Sequence, residues 1–154
     1  MNGIKHILVP VDFSPASDRS LEKALQLART FDARITLLHV WSLPAVAYAE
    51  GLAWPIDDLQ QAAREALAGL HARTVKLHPN TDSVLLEGNE WRQILETVKS
   101  RGCDLVVMGT HGRRGLPRLL LGSVAERVVR LSPVPVLTVG LPKEAHEKDE
   151  RPIP

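Results

Sequence analysis

The chain has 154 residues, of which 44% are hydrophobic and 24% charged, and this predicts one globular domain that buries a core without disulfides or metal ions. Its formal net charge of +1 provides no overall field that would attract DNA or an acidic membrane. The single cysteine, Cys103, cannot form an internal disulfide, and no apolar run approaches the roughly 20 residues of a membrane-spanning helix. Because the first residues also lack the pattern of a secretory signal, we expect a cytoplasmic protein.

The first forty residues predict a strand, a helix and a second strand. Residues 4–12 are a β-branched apolar run ended by an aspartate, which is typical of a buried strand. Ser14 is the predicted N-cap of the helix, with Pro15 at its first position, and apolar residues at helical spacing extend it to about Thr30. Residues 34–40 then predict the second strand.

The middle of the chain predicts a loop, a helix, a strand and another helix. Residues 41–56 contain two prolines and a glycine among scattered apolar residues, which predicts a long and partly mobile loop. Apolar residues at helical spacing over 59–70 predict the longest helix, and residues 82–87 predict the third strand. A third helix, with apolar residues recurring over 91–98, is expected to stop at Gly102.

The last third predicts two strands with a helix between them. Residues 104–109 show no polar alternation, as expected for a strand buried on both faces. After a glycine-rich loop, residues 123–131 predict the last helix and Val134–Val139 the fifth strand. Residues 141–154 are charged and contain proline, so we expect a disordered tail after a folded domain of residues 1–140.

Strands that alternate with helices require right-handed crossovers and a parallel sheet covered on both faces. The sequence therefore predicts a doubly wound α/β domain with five parallel strands. Ligands of such domains bind outside the carboxyl ends of the strands, where the strand order reverses. The loops at that edge follow Asp12, Val40, Glu87 and Gly109, and the loops after strands one and four meet at one crevice if those strands are neighbours.

The loop after the fourth strand, within "MGTHGRRGLPRLLLGSVAER" (residues 108–127), combines glycines with positive charge. Gly109 and Gly112 lack a Cβ atom, so the backbone can take positive φ, approach a ligand closely and form an anion-binding concavity. Gly122 and Ser123 place a helix N-terminus at the far end of the loop, where unpaired N–H groups favour phosphate. Charge-assisted contacts would come from the arginines of the loop, Arg113, Arg114 and Arg118.

Simpler interpretations account for the same residues. Ser123 with Glu126 three positions later is a capping box, and the first two glycines of the loop can form an ordinary exit turn. The arginines can be a solvated surface. Neither the dinucleotide G-x-G-x-x-G motif nor the Walker G-x-x-x-x-G-K-[ST] motif is present, so a nucleotide would need a different phosphate-binding loop.

Three segments resemble the universal stress protein family. "GTHGRRGLPRLLLGS" matches the pattern G-x2-G-x9-G-[ST] of the ATP-binding branch of that family. "ILVPVDFSPAS" is similar to the first strand and turn of the family, and "SPVPVLTV" to its last strand. The segments occur in the order that the family has, and the resemblance covers about residues 1–140.

The resemblance implies a Rossmann-like sheet in the order 3-2-1-4-5, with a nucleotide at the switch between strands one and four. It implies that Pro10 and Val11 border the adenosine and that Asp12 accepts hydrogen bonds from ribose hydroxyls, although Asp12 can instead form an Asx turn or a helix cap. The backbone of Val40 would meet the adenine edge. The phosphates would be surrounded by Gly109, His111, Gly112, Arg113, Gly122, Ser123 and Val124. Mg²⁺ or Mn²⁺ is expected with the triphosphate, held mostly by phosphate oxygens and water.

The fifth strand, Val134–Val139, would be a hydrophobic edge of the sheet, and such edges are prone to unwanted pairing unless they are covered. Pairing with the same strand of a second copy would cover it, and the family resemblance implies such a homodimer. The alternative is a monomer whose tail folds over the edge.

Other reactive residues predict no catalytic or metal site. His71 and His78 are seven positions apart, too far for an i, i+4 pair of zinc ligands, and His39 is expected to be a half-buried packing residue. Cys103 is expected to lie in or near the core, and Trp91 fits the apolar stripe of its helix. The two tryptophans that flank the long loop would either cover the crevice or contact a partner.

The resemblance and the glycine-rich loop together predict a stress-response protein that binds Mg-ATP and acts as a nucleotide-dependent conformational switch for an unknown protein partner. Slow ATP hydrolysis would need a positioned water and charge stabilisation, for which only His111 and the loop arginines are candidates. No G-x-S-x-G elbow surrounds Ser123, so serine-hydrolase chemistry is not expected. The alternative function is a dimeric interaction module of the same fold that does not use nucleotide.

Overall fold

The computed structural model describes residues 3–46, 55–111 and 121–141. They form a five-stranded parallel sheet in the order β3-β2-β1-β4-β5, with two helices on each face, so the doubly wound α/β fold and its strand order are confirmed. The elements are β1 (His6–Pro10), α1 (Pro15–Phe31), β2 (Arg34–Trp41), α2 (Ile56–Leu77), β3 (Thr81–Glu87), α3 (Glu90–Arg101), β4 (Leu105–Gly109), α4 (Ser123–Leu131) and β5 (Val136–Val139). Within these ranges no helix is long and apolar enough to cross a membrane. Nearly all of the predicted tail lies outside the described residues, and the division of the chain at residue 140 stays a prediction.

The cap residues of two helices are confirmed. Ser14 is the N-cap of α1, because its Oγ accepts a hydrogen bond from the N–H of Ser17 at 3.2 Å, and Pro15 opens the helix. Gly102 ends α3 with φ of 62°, a left-handed conformation that glycine adopts without steric cost.

Three elements differ in length from the sequence prediction. Strand β1 is His6–Pro10, shorter than the predicted residues 4–12. Helix α2 extends to Leu77 because Thr74 occupies a buried position of its inner face and satisfies its hydroxyl by donating to the Leu70 carbonyl at 2.7 Å. A polar residue at a core position conceals the helical period in the sequence. Strand β5 begins at Val136 rather than at residue 134, and the Pro135 carbonyl still accepts a hydrogen bond from β4.

The sheet separates two hydrophobic cores. One lies between the sheet and helices α1 and α2 and is centred on Ile7, Val9 and Leu37. The other lies between the sheet and helices α3 and α4 and contains Cys103, which is 4% exposed. Burial raises the pKa of the Cys103 thiol to about 11, so the side chain is a neutral core residue, as predicted.

A polar network joins β1, β2 and β3 at the amino edge of the sheet. The Thr36 hydroxyl donates to the carboxylate of Asp82 at 2.5 Å, so the Nε2–H of buried His6 must donate to Thr36 Oγ1, at 2.7 Å. Arg34 and Arg101 form ion pairs with the same carboxylate, and the pair between Arg101 and Asp82 measures 2.9 Å. The network occupies the end of the sheet opposite to the predicted ligand crevice.

Candidate functional site

A crevice of about 730 Å³ opens at the carboxyl edge of the sheet. Its walls come from the ends of β1, β2 and β4 and from the N-terminal turns of α3 and α4. The predicted site residues that line it are Pro10, Val11, Asp12, Val40, Gly109, His111, Gly122, Ser123 and Val124. The other two, Gly112 and Arg113, lie outside the described residues, as do Arg114 and Arg118. The structure therefore brings every predicted site residue that it describes to one crevice.

The turn after β1 places Asp12 at the crevice. The N–H of Val11 makes the last backbone bond from this end of β1 to β2, and the N–H of Asp12 donates instead to the hydroxyl of Ser17 at 3.2 Å. Asp12 Oδ1 accepts a hydrogen bond from the N–H of Ser14 at 3.0 Å, so the Asx turn is present. A carboxylate has about four acceptor positions, so this turn is compatible with further contacts to a ligand. Phe13 has φ of 63°, a left-handed conformation that is uncommon without glycine and that redirects the chain into α1.

Val40 directs its backbone toward the crevice. Leu38, two residues earlier on β2, accepts a hydrogen bond from the N–H of Val11 at 2.8 Å, whereas Trp41 accepts from Gly88 on the β3 side. Because backbone groups alternate between the two neighbours along a parallel strand, the N–H and C=O of Val40 point to the β1 side, beyond the end of β1. Within the described part of the chain, neither group has a hydrogen-bond partner.

The N-terminus of α4 forms the facing side of the crevice. Gly122 is the N-cap, and its N–H donates to the Thr110 carbonyl at 2.7 Å, so the two ends of the glycine-rich loop meet. The capping-box interpretation of Ser123 and Glu126 is wrong, because the cap has no side-chain hydrogen bond. In the described ranges the N–H groups of Ser123, Val124 and Ala125 have no acceptor, and they carry the positive end of the helix dipole.

Gly109 lines the crevice, but the positive φ that was expected there is absent. The described glycines with positive φ are Gly88 and Gly102. A Cβ atom added at Gly109 would lie 2.9 Å from the Cβ of Ala16 and 3.1 Å from its carbonyl carbon. Close packing of β4 against α1 therefore requires the glycine and sets the floor of the crevice.

The histidines have distinct surroundings. His39 is half-buried, its Nδ1–H donates to the Val11 carbonyl at 2.8 Å, and its ring contacts that of Phe13 at 4.7 Å between centroids, which confirms the packing role. His111 lies at the mouth of the crevice with Nδ1 3.1 Å from the Thr110 hydroxyl. His71 and His78 each contact a backbone carbonyl through Nε2, those of Thr81 and Ala33.

Across the residues that the structure describes, no group of three or more His, Cys, Asp or Glu side chains could hold a metal ion.

Sequence reasoning predicted the N-terminus of α4 at the crevice but missed the contribution of α3. Trp91 packs on the second core, as its position in the apolar stripe predicted, but it also lines the crevice with Arg127. The guanidinium carbon of Arg127 lies 5.2 Å from the centroid of the Trp91 ring. Position 127 follows Ser123 by four residues, about one helical turn, and this spacing could have indicated that Arg127 lies near the crevice. Trp41 is 9% exposed and also lines the crevice, whereas Trp54 lies outside the described residues.

These features define a doubly wound α/β protein with a crevice at its topological switch point. The model of the universal stress protein family matches residues 3–140, and the chain belongs to that family. It is 34% identical over 146 residues to a universal stress protein of Methanocaldococcus jannaschii, covering 93% of this chain and 86% of the relative. It is also 34% identical to the universal stress protein A homolog 1 of Coxiella burnetii, covering 88% and 95% of the two chains.

Solved structures share the fold. The hypothetical protein MJ0577 superimposes with a TM-score of 0.79 at 26% identity, covering 90% of this chain and 97% of that one. Two structures that share the fold at lower identity carry nucleotides: a universal stress family protein of Arabidopsis thaliana with AMP bound (TM-score 0.64, 23% identity, 92% and 94% coverage) and a universal stress protein in complex with cAMP (TM-score 0.69, 22% identity, 90% and 98% coverage).

Proposed function

We propose that this protein binds ATP in the crevice and acts as a nucleotide-dependent conformational switch in a stress response. The observation that carries the proposal is a pair of facing backbone sites: the N–H and C=O of Val40 on one side, and three amides of α4 on the other. A nucleobase edge needs a donor and an acceptor, and a phosphate needs several N–H donors. The crevice offers both, and AMP and cAMP in two proteins of this fold are compatible with such a ligand.

In this arrangement the adenine edge meets the backbone of Val40, and Pro10 and Val11 border the adenosine. Asp12 accepts hydrogen bonds from the ribose hydroxyls. The phosphates face the N–H groups of residues 123–125, next to Gly109, Gly122 and His111. Gly112 and Arg113 would approach from the glycine-rich loop. The Gly122 amide is already bonded to Thr110, so Gly122 contributes its small size rather than a donor.

Mg²⁺ or Mn²⁺ would accompany the triphosphate and neutralise part of its charge. The described residues of the crevice fit an ion held by phosphate oxygens and water, because they include the carboxylate of Asp12 but no cluster of protein ligands. When bound, the ion would screen repulsion between phosphates. Asp12 would still accept hydrogen bonds from the ribose hydroxyls, and the α4 amides would still donate to the phosphates.

The switch would operate through differential contacts of the phosphates with the glycine-rich loop and the segment after β2, which both begin at the crevice. We expect turnover to be slow at most, since it would need a positioned water and charge stabilisation, for which the sequence offers His111 and the loop arginines. We place this function in the cytoplasm, where nucleoside triphosphates are abundant.

The first test is a calorimetric titration of Mg-ATP into protein stripped of nucleotide. We expect about one site per chain with micromolar affinity or better. Asp12→Ala should weaken ATP by roughly tenfold, the effect of losing charge-assisted hydrogen bonds. Asp18→Ala, in the first turn of α1, is the control and should leave the affinity unchanged.

The role of Asp12 can be separated from its Asx turn with 2′-deoxy-ATP. The deoxy nucleotide should bind the natural protein more weakly than ATP, and the difference should shrink in Asp12→Ala. No heat and no thermal stabilisation at millimolar ATP would remove the switch and favour the dimeric interaction module instead.

We also propose that the protein is a homodimer through residues 134–139. Strand β5 pairs with β4 and forms one edge of the sheet. Exposed apolar side chains lie on it and on the neighbouring helix: Leu137 is 37% exposed, Val129 45% and Leu131 49%. A second copy would cover both the open edge and these side chains.

A further inference from the structure

The wall of the crevice between α3 and α4 concentrates positive charge around one aromatic ring. Trp91, in the first turn of α3, is half-buried and lines the crevice. The guanidinium carbon of Arg92 lies 5.1 Å from the centroid of its ring, and that of Arg127 lies 5.2 Å from it. Cation–π attraction of this kind holds a guanidinium without neutralising it.

Neither guanidinium is paired with a carboxylate in the part of the chain that the structure describes. Other arginines of the protein are: Arg130 on the same helix pairs with Glu126 at 3.3 Å, and Arg101 pairs with Asp82 at 2.9 Å. Two like charges that share one ring repel each other. Arg127 lines the crevice and Arg92 does not, so an anion in the crevice would be attracted chiefly by Arg127.

Arg127 lines the same crevice as the unpaired amides of α4. It follows Ser123 by four residues and Val124 by three, so the three side chains share one face of the helix, and all three residues line the crevice. Side chains on a helix lean toward its N-terminus, and this brings the Arg127 guanidinium over the turn whose N–H groups face the crevice.

We propose that Arg127 is a phosphate-binding residue of the crevice and that Trp91 is its positioning residue. The backbone amides of residues 123–125 serve any phosphate equally. The added charge of Arg127 makes binding depend on the charge of the ligand, so the crevice prefers ATP and ADP to AMP, and AMP to adenosine. This inference rests on the proposed nucleotide function and assigns its ligand class, nucleoside polyphosphates.

The test compares the affinities of ATP, ADP, AMP and adenosine by calorimetry for the natural protein, Arg127→Gln and Arg130→Gln. In Arg127→Gln we expect about a tenfold loss for ATP, a smaller loss for AMP and no change for adenosine. Arg130→Gln, on the same helix but outside the crevice, is the matched control and should retain all four affinities.

Trp91 is tested through selectivity rather than affinity alone. Trp91→Leu should reduce the ratio of ATP to adenosine affinity, Trp91→Phe should retain most of it, and Trp91→Leu should add no further loss of selectivity to Arg127→Gln. A Trp91 that only supports the core would lower all four affinities alike in either background.

The outcomes separate the two proposals. Natural protein that binds no nucleotide overturns the proposed function and this inference with it. Natural protein that binds ATP, with an unchanged ratio of ATP to adenosine affinity in Arg127→Gln, overturns only the assignment of Arg127.

Discussion

At the scale of residues, the absence of a Cβ atom at Gly109 allows β4 to pack closely against α1 beside the crevice. Gly109 packs on Ala16, and we expect Gly109→Ala to lower the free energy of unfolding by about 1–3 kcal/mol, the usual cost of overpacking a close contact. The new Cβ would lie 2.9 Å from the Ala16 Cβ, and backbone atoms of Ala16 at 3.1 and 3.2 Å leave it little room to relax. Urea denaturation measures the loss.

Gly140→Ala is the matched control for that substitution, because its new Cβ would meet the Thr110 hydroxyl at 3.6 Å, an ordinary contact. Combining Gly109→Ala with Ala16→Gly should recover part of the lost stability. A Gly109→Ala variant as stable as the natural protein would show that β4 and α1 are not in the close contact described here.

At the scale of elements, the polar network of the amino edge ties three strands together through titratable groups. Burial and the charge of Arg34 lower the pKa of His6 below its ordinary 6.5, although the Arg101 carbonyl, 3.2 Å from Nδ1, acts in the opposite direction. For Asp82, burial acts to raise the pKa. Hydrogen bonds from Thr36 and Arg34, with the charges of Arg34 and Arg101, outweigh it and hold the pKa below the ordinary 3.8.

Both shifts predict that acid weakens the fold. Below pH 6.5 the unfolded chain protonates His6 before the folded chain does, so the free energy of unfolding falls as the pH falls. Asp82 contributes stability that is present above pH 3.8 and is lost as the pH falls through its lower folded pKa. In urea titrations at several pH values, we expect His6→Gln to be less stable than the natural protein near neutrality. Its free energy of unfolding should fall less than that of the natural protein between pH 7 and 5. Parallel losses in the two proteins would contradict this account.

The helices and strands also show which structural features could be predicted from the sequence. Ser14 and Gly102 were predictable because caps depend on local backbone chemistry. Thr74 concealed the true end of α2 because its hydroxyl is satisfied within the helix. At Gly109 close packing on Ala16, rather than the expected positive φ, requires a glycine; neither this packing nor the contact of Arg127 with Trp91 was predicted. Both depend on distances between elements that are far apart in the chain.

For the whole molecule, the amino edge and the carboxyl edge of the sheet differ in how their polar groups are paired. Ion pairs and side-chain hydrogen bonds bind the amino edge together, whereas the carboxyl edge leaves backbone groups of Val40 and of the α4 N-terminus without partners in the described ranges. A parallel sheet produces this asymmetry, because every strand ends at the same side.

The lateral edge at β5 carries the last prediction, on the state of assembly. Leu137→Lys places a charge on the exposed side of the edge strand, where it opposes pairing with a second copy. By light scattering at micromolar concentration, we expect a dimer for the natural protein and a monomer for this variant. Leu77→Lys, at the end of α2 and 58% exposed, adds the same charge elsewhere and should remain dimeric. A monomeric natural protein would contradict the dimer. A dimeric Leu137→Lys variant would place the interface on another surface.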